Sequence, residues 1–202
     1  MMNKFAIYKK NGKFYWSANK IYYCTLFTLL GLGYIFQNIF KPVEKISYWL
    51  AIATLIIGVI IKIRNSTLAE SLQGTLEGDL IFSKEEITIN EKSYSLTEII
   101  KIKINNDDYI GKLINSSKGN IGPALSNGTN NSVILFLKSK ETKVAKFELI
   151  NSDDIQKIRT ILIEYHLKEK IDFWELANVL GEKSSSEIKD LTEEITKNKH
   201  YR

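Results

Sequence analysis

The sequence predicts an α+β membrane protein in which a two-helix transmembrane hairpin precedes a small antiparallel β domain that is capped by a helix. Three observations lead to this prediction. Two uncharged apolar runs, residues 21–40 and 46–61, flank a five-residue break. From residue 72 onward, short segments alternate apolar and polar residues, as half-buried strands do. An amphipathic helical pattern follows at residues 153–167.

The two apolar runs have the composition of membrane spans. The first has twenty residues, and at about 1.5 Å per residue it covers the hydrocarbon core of a bilayer. The second has sixteen residues, so it needs aromatic rings at one interface and cations at the other. Pro42 in the break is expected to end the first helix. The predicted interface residues of the second run are Tyr48, Trp49, Lys62 and Arg64.

Residues 1–20 are predicted to form a basic and aromatic segment that lies against the inner leaflet. Five lysines are interleaved there with aromatic residues, and Trp16 and Lys20 stand nearest to the first apolar run. A signal peptide is the competing interpretation. It is disfavoured because the apolar run is too long and no pattern of small residues for cleavage follows it. The transmembrane hairpin then occupies residues 21–64.

Positive charge is concentrated around the predicted hairpin. Residues 1–64 contain nine lysines and arginines and one glutamate, whereas the rest of the chain has a net charge of −3. Seven of the nine cations lie outside the break and two lie within it, which predicts an integral protein of the cytoplasmic (inner) membrane with both termini in the cytoplasm. The remainder lacks the basic excess of a nucleic-acid-binding protein. Neither apolar run contains an ionisable residue, so an anchor is expected rather than a transport path.

Residues 72–167 are predicted to form the β domain with its capping helix. Ser152 is the expected N-cap of that helix. Residues 105–131 form a long loop rich in Asn, Gly and Ser, which is functional, disordered or hides a further element. The predicted strands are residues 75–82, 86–90, 92–96, 100–104, 133–138 and 143–149, with a further candidate at 109–114.

Residues 168–202 are predicted to form C-terminal helices and a charged tail. A short helix opens at Asp172 with a capping box and stops before Gly181. The tail that follows has a thin apolar stripe, so it is either a marginal surface helix or a partner-binding one. Solvated fraying is the expected outcome.

After the two apolar runs come the segments 74–96, 99–104, 122–131 and 133–149, and then the helix 153–167. This order resembles that of bacterial membrane-anchored pleckstrin-homology-like (PH-like) domain proteins. The resemblance implies a small β-barrel or sandwich of paired sheets capped by the C-terminal helix, and a role as an interaction scaffold. Inositol-lipid binding is not generally inherited with that fold.

A cluster of lysines is the candidate lipid-facing surface of the β domain. Alternating lysines on strands are first of all a solvated strand face, but together they could face anionic headgroups. Acidic residues stand close to several of them in the sequence. The six lysines are Lys101, Lys103, Lys138, Lys140, Lys143 and Lys146.

Catalytic and metal-binding patterns are missing from the sequence. Its two histidines, His166 and His200, and its single cysteine, Cys24, provide neither a Cys/His zinc site nor a nucleophile with its base. The acidic pair Asp107 and Asp108 lacks the alternate ligand spacing of a calcium loop. The sequence therefore predicts a protein that is not an enzyme and has no metal or cofactor.

Together these observations predict a non-enzymatic, membrane-anchored scaffold or interaction protein that presents a PH-like domain to the cytoplasm. The expected partners are the lipid bilayer and either another protein or a second copy of the chain. Two alternatives stay open. One is a lipid- or ligand-sensing domain at the inner leaflet, with its site within residues 105–131. The other is an accessory subunit of a membrane transport complex.

Overall fold

The computed structural model describes residues 4–12, 16–114 and 119–200, the last without the side chain of His200. The helices are α1 (Ala18–Phe36), α2 (Lys41–Asn65), α3 (Arg159–Leu167), α4 (Phe173–Val179) and α5 (Ser185–His200), and a 3₁₀ turn (Asp154–Ile158) precedes α3. The strands are β1 (Lys4–Lys10), β2 (Gly74–Phe82), β3 (Glu86–Ile89), β4 (Lys92–Ser95), β5 (Ile99–Asn105), β6 (Ile110–Leu113), β7 (Leu125–Asn127), β8 (Asn131–Leu137) and β9 (Thr142–Phe147).

The described residues form two compact units. The first, here the sheet unit, comprises Met1–Asn11, Leu72–Ile110 and Asn127–Arg202. The second, here the helical unit, comprises Gly12–Ser71 and Gly111–Ser126. The long loop that the sequence predicts at residues 105–131 is therefore divided, because its middle part belongs with the helices. Residues 115–118 of that loop lie outside the described part of the chain.

Seven antiparallel strands form the main sheet, in the order β4-β3-β2-β1-β9-β8-β5. The strands predicted from residue 72 onward are confirmed, and the candidate at 109–114 is β6. Alternation is clearest in β8, where every second residue is buried from Asn131 to Leu137. The sheet is open, with β4 and β5 as its two edges. The expected β-barrel is therefore wrong, since closure requires the two edge strands to pair.

The first strand occupies the middle of this sheet. β1 pairs with β2 along its length and meets β9 at the pair Ile7 and Phe147. Phe5 and Ile7 are buried in the core, while the lysines at the ends of the strand are exposed. The structure thus differs from the predicted interfacial segment, because Lys4–Lys10 is a strand with hydrogen-bonded neighbours on both sides. Residues 1–3 and 13–15 of that predicted segment lie outside the described residues.

The helix after β9 covers one side of the core as predicted. Ile155, Ile158, Leu162 and Tyr165 are all buried, and the Tyr165 hydroxyl donates a hydrogen bond to the carbonyl of Ser83 at 2.6 Å. Burial raises the pKa of this phenol above its ordinary value. Tyr165 therefore stays protonated and tethers the helix to the turn between β2 and β3.

The predicted N-cap of that helix is wrong. The 3₁₀ turn starts at Asp154, whose carboxylate accepts hydrogen bonds from the backbone N–H groups of Ile150 and Asn151 at 3.0 and 2.8 Å. It also forms an ion pair with Lys157. Burial alone would raise the pKa of Asp154, but the hydrogen bonds from Lys157 and from the two backbone groups outweigh it and lower this pKa below 3.8.

We expect Asp154→Ala to destabilise the protein by about 1–2 kcal/mol at neutral pH, because three donors lose their acceptor. A lowered folded-state pKa stabilises the fold above the unfolded-state pKa, and this contribution is lost as pH falls through the folded value. The difference between variant and wild type should therefore shrink below pH 3.8, the ordinary value. Chemical denaturation at several pH values measures this difference in unfolding free energy. The exposed Asp153→Ala variant is the control. A difference that does not change with pH would contradict the lowered pKa of Asp154.

The C-terminal segment is more ordered than the sequence predicts. Asp172 occupies the N-cap position of α4, but its carboxylate pairs with Lys101 and does not cap the helix. α5 buries Leu191 in the core. Arg159 holds the segment by ion pairs to Glu182 at 2.5 Å and to Glu194 at 2.9 Å. The expected fraying of the tail is therefore wrong, because the buried Leu191 and the ion pair between Arg159 and Glu194 fix α5 to α3, while Glu182 holds the link before α5.

The helical unit does not contain the predicted two-helix transmembrane hairpin. Pro42 lies in the first turn of α2, where proline is favoured, so the residues predicted as the break are helical. α1 ends at Phe36 and includes Asn19 and Lys20, which leaves it a shorter apolar stretch than the twenty residues expected. Among the described residues, only α2, with 25 residues, is long and apolar enough to cross a membrane.

Candidate membrane interface

The outer surface of the helical unit is the largest apolar surface among the described residues. Thirty large apolar side chains of the described chain are exposed, and twenty of them lie between Trp16 and Ile63. Both helices are apolar around most of their circumference, so pairing them buries only one side of each. In α2 the buried residues are Ser47, Ala51 and Gly58, and the exposed ones include most of its isoleucines.

Small residues let the two helices of this unit approach closely. A β-carbon placed on Gly33 of α1 would lie 2.9 Å from the ring of Tyr48, and one on Gly58 of α2 would lie 2.6 Å from a ring carbon of Tyr22. A tyrosine of each helix thus packs against a glycine of the other helix. In lipid, no hydrophobic driving force brings apolar helices together. They associate through close van der Waals packing, which small residues permit.

We expect Gly58→Ala to weaken the pairing of α1 and α2 by about 1–3 kcal/mol, because a methyl group at this position overlaps the Tyr22 ring. Gly31→Ala is the matched control, since nothing lies within 4 Å of its added methyl group and alanine favours the helix. Thermal unfolding in detergent, followed by circular dichroism, compares them. Equal melting temperatures for the two variants would contradict the tyrosine-on-glycine contact.

A short segment of the long loop at residues 105–131 joins the ends of both helices. We call residues 119–125 the basal strap. Asn19 of α1 donates to Asn120 at 2.6 Å and accepts from the backbone N–H of Ile121 at 2.8 Å. Asn65 of α2 donates to the carbonyl of Ile121 at 2.7 Å. Tyr23 donates to the carbonyl of Gly119. The strap therefore marks one end of the helix pair, here the basal end.

The predicted membrane-interface residues divide between the two ends of this pair. Trp16, Lys20, Lys62 and Arg64 belong to the basal end, close in sequence to Asn19 or Asn65. Trp16 is 59% exposed. Tyr48 and Trp49 lie in the N-terminal part of α2, towards the other end. Trp49 is 71% exposed, whereas Tyr48 packs on Gly33 and so serves the helix pairing as well.

Two of the six lysines predicted to face lipid are paired with carboxylates. Lys101 pairs with Asp172 and Glu175, and Lys143 pairs with Glu141. These contacts raise the pKa values of both lysines, the hydrogen bond to the carboxylate being the largest cause in each. The other four are Lys103 above the Phe136 ring, Lys138 and Lys140 in the turn after β8, and Lys146 on β9.

An open groove of about 1310 Å³ lies in the sheet unit where β1 and β9 diverge after Ile7. The residues that line it include lysines and carboxylates together with Ile89 and Tyr94. The residues that line it include no histidine or cysteine. Within residues 4–12, 16–114 and 119–200, no group of three His, Cys, Asp or Glu residues is placed to hold a metal ion.

The basal strap and the tyrosine-on-glycine contacts could not be found by motif reasoning. The sequence singled out residues 105–131 as unusual but offered no sign that Asn120 and Ile121 meet Asn19, 101 and 102 positions earlier, or that Ile121 meets Asn65, 56 positions earlier. Comparison with protein-family models, with curated proteins and with solved structures gives no match for this chain. The physical features of the two units are therefore the basis for any functional conclusion.

Proposed function

We propose that this protein is a non-enzymatic, membrane-anchored interaction protein, in which the apolar surface of α2 anchors the helical unit to a bilayer and the sheet unit is presented to the cytoplasm. The observation that carries the proposal is the exposure of twenty large apolar side chains between Trp16 and Ile63. Such a surface is unfavourable in water at roughly 25 cal/mol per Å². α2 supplies a helix of sufficient length and apolar character for a bilayer.

The position of β1 supports a cytoplasmic location for both ends of the chain. β1 precedes the helices and β2 follows them, yet the two strands are neighbours in one sheet. The chain must therefore leave the sheet and return to it on the same side of any membrane. The cations at the basal end, Lys20, Lys62 and Arg64, favour the cytoplasmic side for that end.

The strand order supports the proposed likeness to PH-like domains. Four strands in the order β4-β3-β2-β1 continue into β9-β8-β5, and a helix follows the last strand in sequence. In this proposal the sheet is open and serves as a binding scaffold for a protein partner or a second copy. The ion pairs of Lys101 and Lys143 weigh against the alternative of a lipid-sensing sheet surface.

Cysteine labelling and membrane extraction test the proposal together. In a Cys24→Ser background, Ser139→Cys places one thiol in the turn between β8 and β9. We expect the protein to stay in the membrane fraction after alkaline carbonate treatment, and a membrane-impermeant maleimide to react only after the cells are opened. Labelling in intact cells would contradict the orientation, and release by carbonate would contradict membrane insertion.

A further inference from the structure

The long loop at residues 105–131 brings a second apolar surface to the basal end of the helical unit. Ile114 donates from its backbone N–H to the carbonyl of Ala124 at 2.8 Å, and Leu125 donates to the carbonyl of Leu68 at 3.1 Å. The chain after α2, the basal strap and the end of β6 therefore lie side by side. Their outward side chains are large and apolar: Leu113 is 62% exposed, Leu68 is 42% exposed and Ile114 is 40% exposed.

These backbone segments are held rigidly to the helix ends. Ile121 and Ala124 of the basal strap are buried, and Ala124 donates from its backbone N–H to the carbonyl of Asn65 at 3.0 Å. A further bond joins the N–H of Glu70 to the carbonyl of Leu125 at 2.8 Å. The apolar side chains are thus displayed from a fixed platform, and their exposure is not the result of an unpaired loop.

The charge of the helical unit indicates what covers this platform. Its described residues include six lysines and arginines against two glutamates. Four of the six cations and one of the two glutamates, Glu70, accompany the platform or the helix ends that it joins. These four are Lys20, Lys62, Arg64 and Lys112. Exposed apolar side chains beside an excess of cations suit the headgroup region of an anionic bilayer, where both are favourable.

We propose that the platform formed by Leu68, Leu113 and Ile114 is a second membrane-contacting element, which rests in the headgroup region of an anionic bilayer at the base of the helices. The inference rests on the proposed membrane insertion of the helical unit. The platform continues the apolar surface of α2, which ends three residues before Leu68. The hydrogen bonds of the basal strap hold these three side chains at a fixed position relative to the helix ends. The platform would therefore give the loop a role.

Fluorescence of site-specific probes in vesicles tests this inference. Full-length Cys24→Ser protein receives one cysteine at Leu113, Ile56 or Ile100, each labelled with an environment-sensitive fluorophore. All three side chains are more than half exposed, so no core contact is lost. The vesicles contain phosphatidylcholine with or without phosphatidylglycerol. Quenchers are iodide in the water and nitroxide lipids that carry the label either near the headgroup or near the chain end.

We expect the Leu113 probe to emit at shorter wavelength, to be quenched by the headgroup-level nitroxide and to be protected from iodide. Omitting phosphatidylglycerol or adding salt should reduce this protection but leave the Ile56 probe quenched by the deep nitroxide. The Ile100 probe in the sheet unit should remain open to iodide. This pattern identifies the bilayer, and not another part of the protein, as the cover of the platform.

The other outcomes overturn the inference in distinguishable ways. If Ile56 is quenched by lipid while Leu113 stays as open to iodide as Ile100, the platform does not touch the bilayer and the proposed anchor survives. If Leu113 is protected from iodide but no nitroxide lipid quenches it, a protein surface covers it and the inference fails. If Ile56 itself is open to iodide, membrane insertion fails, and this inference fails with it.

Discussion

Two lysines on the exposed face of α2, introduced as Ile56→Lys with Val59→Lys, are expected to release the protein from membranes. Ile56 and Val59 are 57% and 60% exposed, so the change removes little packing inside the helical unit. A lysine in the central part of a membrane helix costs about 2.5–3.5 kcal/mol on insertion scales. Two therefore oppose insertion by about 5–7 kcal/mol, and cell fractionation with carbonate extraction measures the release.

The matched control places the same two charges on the sheet unit. Ile100 and Val144 are 55% and 59% exposed, close to the values for the α2 pair, and a lysine on an exposed strand position is well tolerated. The variant Ile100→Lys with Val144→Lys should therefore stay in the membrane fraction like the wild type. If the α2 variant also stays there, the apolar surface of the helical unit is not what holds the protein to the membrane.

Phe147→Ala is expected to cost about 3–5 kcal/mol in the free energy of unfolding, which is the range for a fully buried phenylalanine. Phe147 is 0% exposed and packs against Phe5 with ring centroids 5.5 Å apart. It is also the residue of β9 that pairs with Ile7 of β1. Its loss therefore opens a cavity at the junction that joins the two halves of the sheet.

Chemical denaturation of the detergent-solubilised protein, followed by circular dichroism, measures this effect. Val144→Ala is the control on the same strand, because an exposed position should change the unfolding free energy by no more than about 0.5 kcal/mol. A loss of less than about 1 kcal/mol for Phe147→Ala would be below the range for core truncations. It would show that the junction between β1 and β9 contributes little to the stability of the sheet.

Most of the sheet could be predicted because one face of each strand lies in the core. Isoleucines alternate with lysines from Ile100 to Ile104, a period that depends only on the local sequence, and in Asn131–Leu137 every second residue is buried. β1 escaped the same reasoning because only Phe5 and Ile7 are buried in it. Its remaining lysines and aromatic rings have the composition of a membrane-interface segment, and its partner strand lies more than sixty residues away.

The helix boundaries show the limit of reasoning from apolar runs. Hydropathy placed the break at residues 41–45 because charges and Pro42 cluster there, yet proline and an acidic residue also suit a helix N-terminus. The structure uses them in this way, with Lys41 paired to Glu44 at 3.2 Å in the first turn of α2. The basal strap was out of reach for another reason, since Asn19 and Asn65 acquire their partners only through the folded loop.

The central position of β1 has a consequence for the order in which the protein folds. β1 needs β2 on one side and β9 on the other; β2 follows both helices, and β9 ends at Phe147. Contacts of such long sequence separation form late, because chain entropy opposes them until much of the structure exists. On the ribosome, the residues of β1 must therefore wait unpaired until both helices and β2 have emerged, and their second neighbour, β9, follows only after most of the sheet.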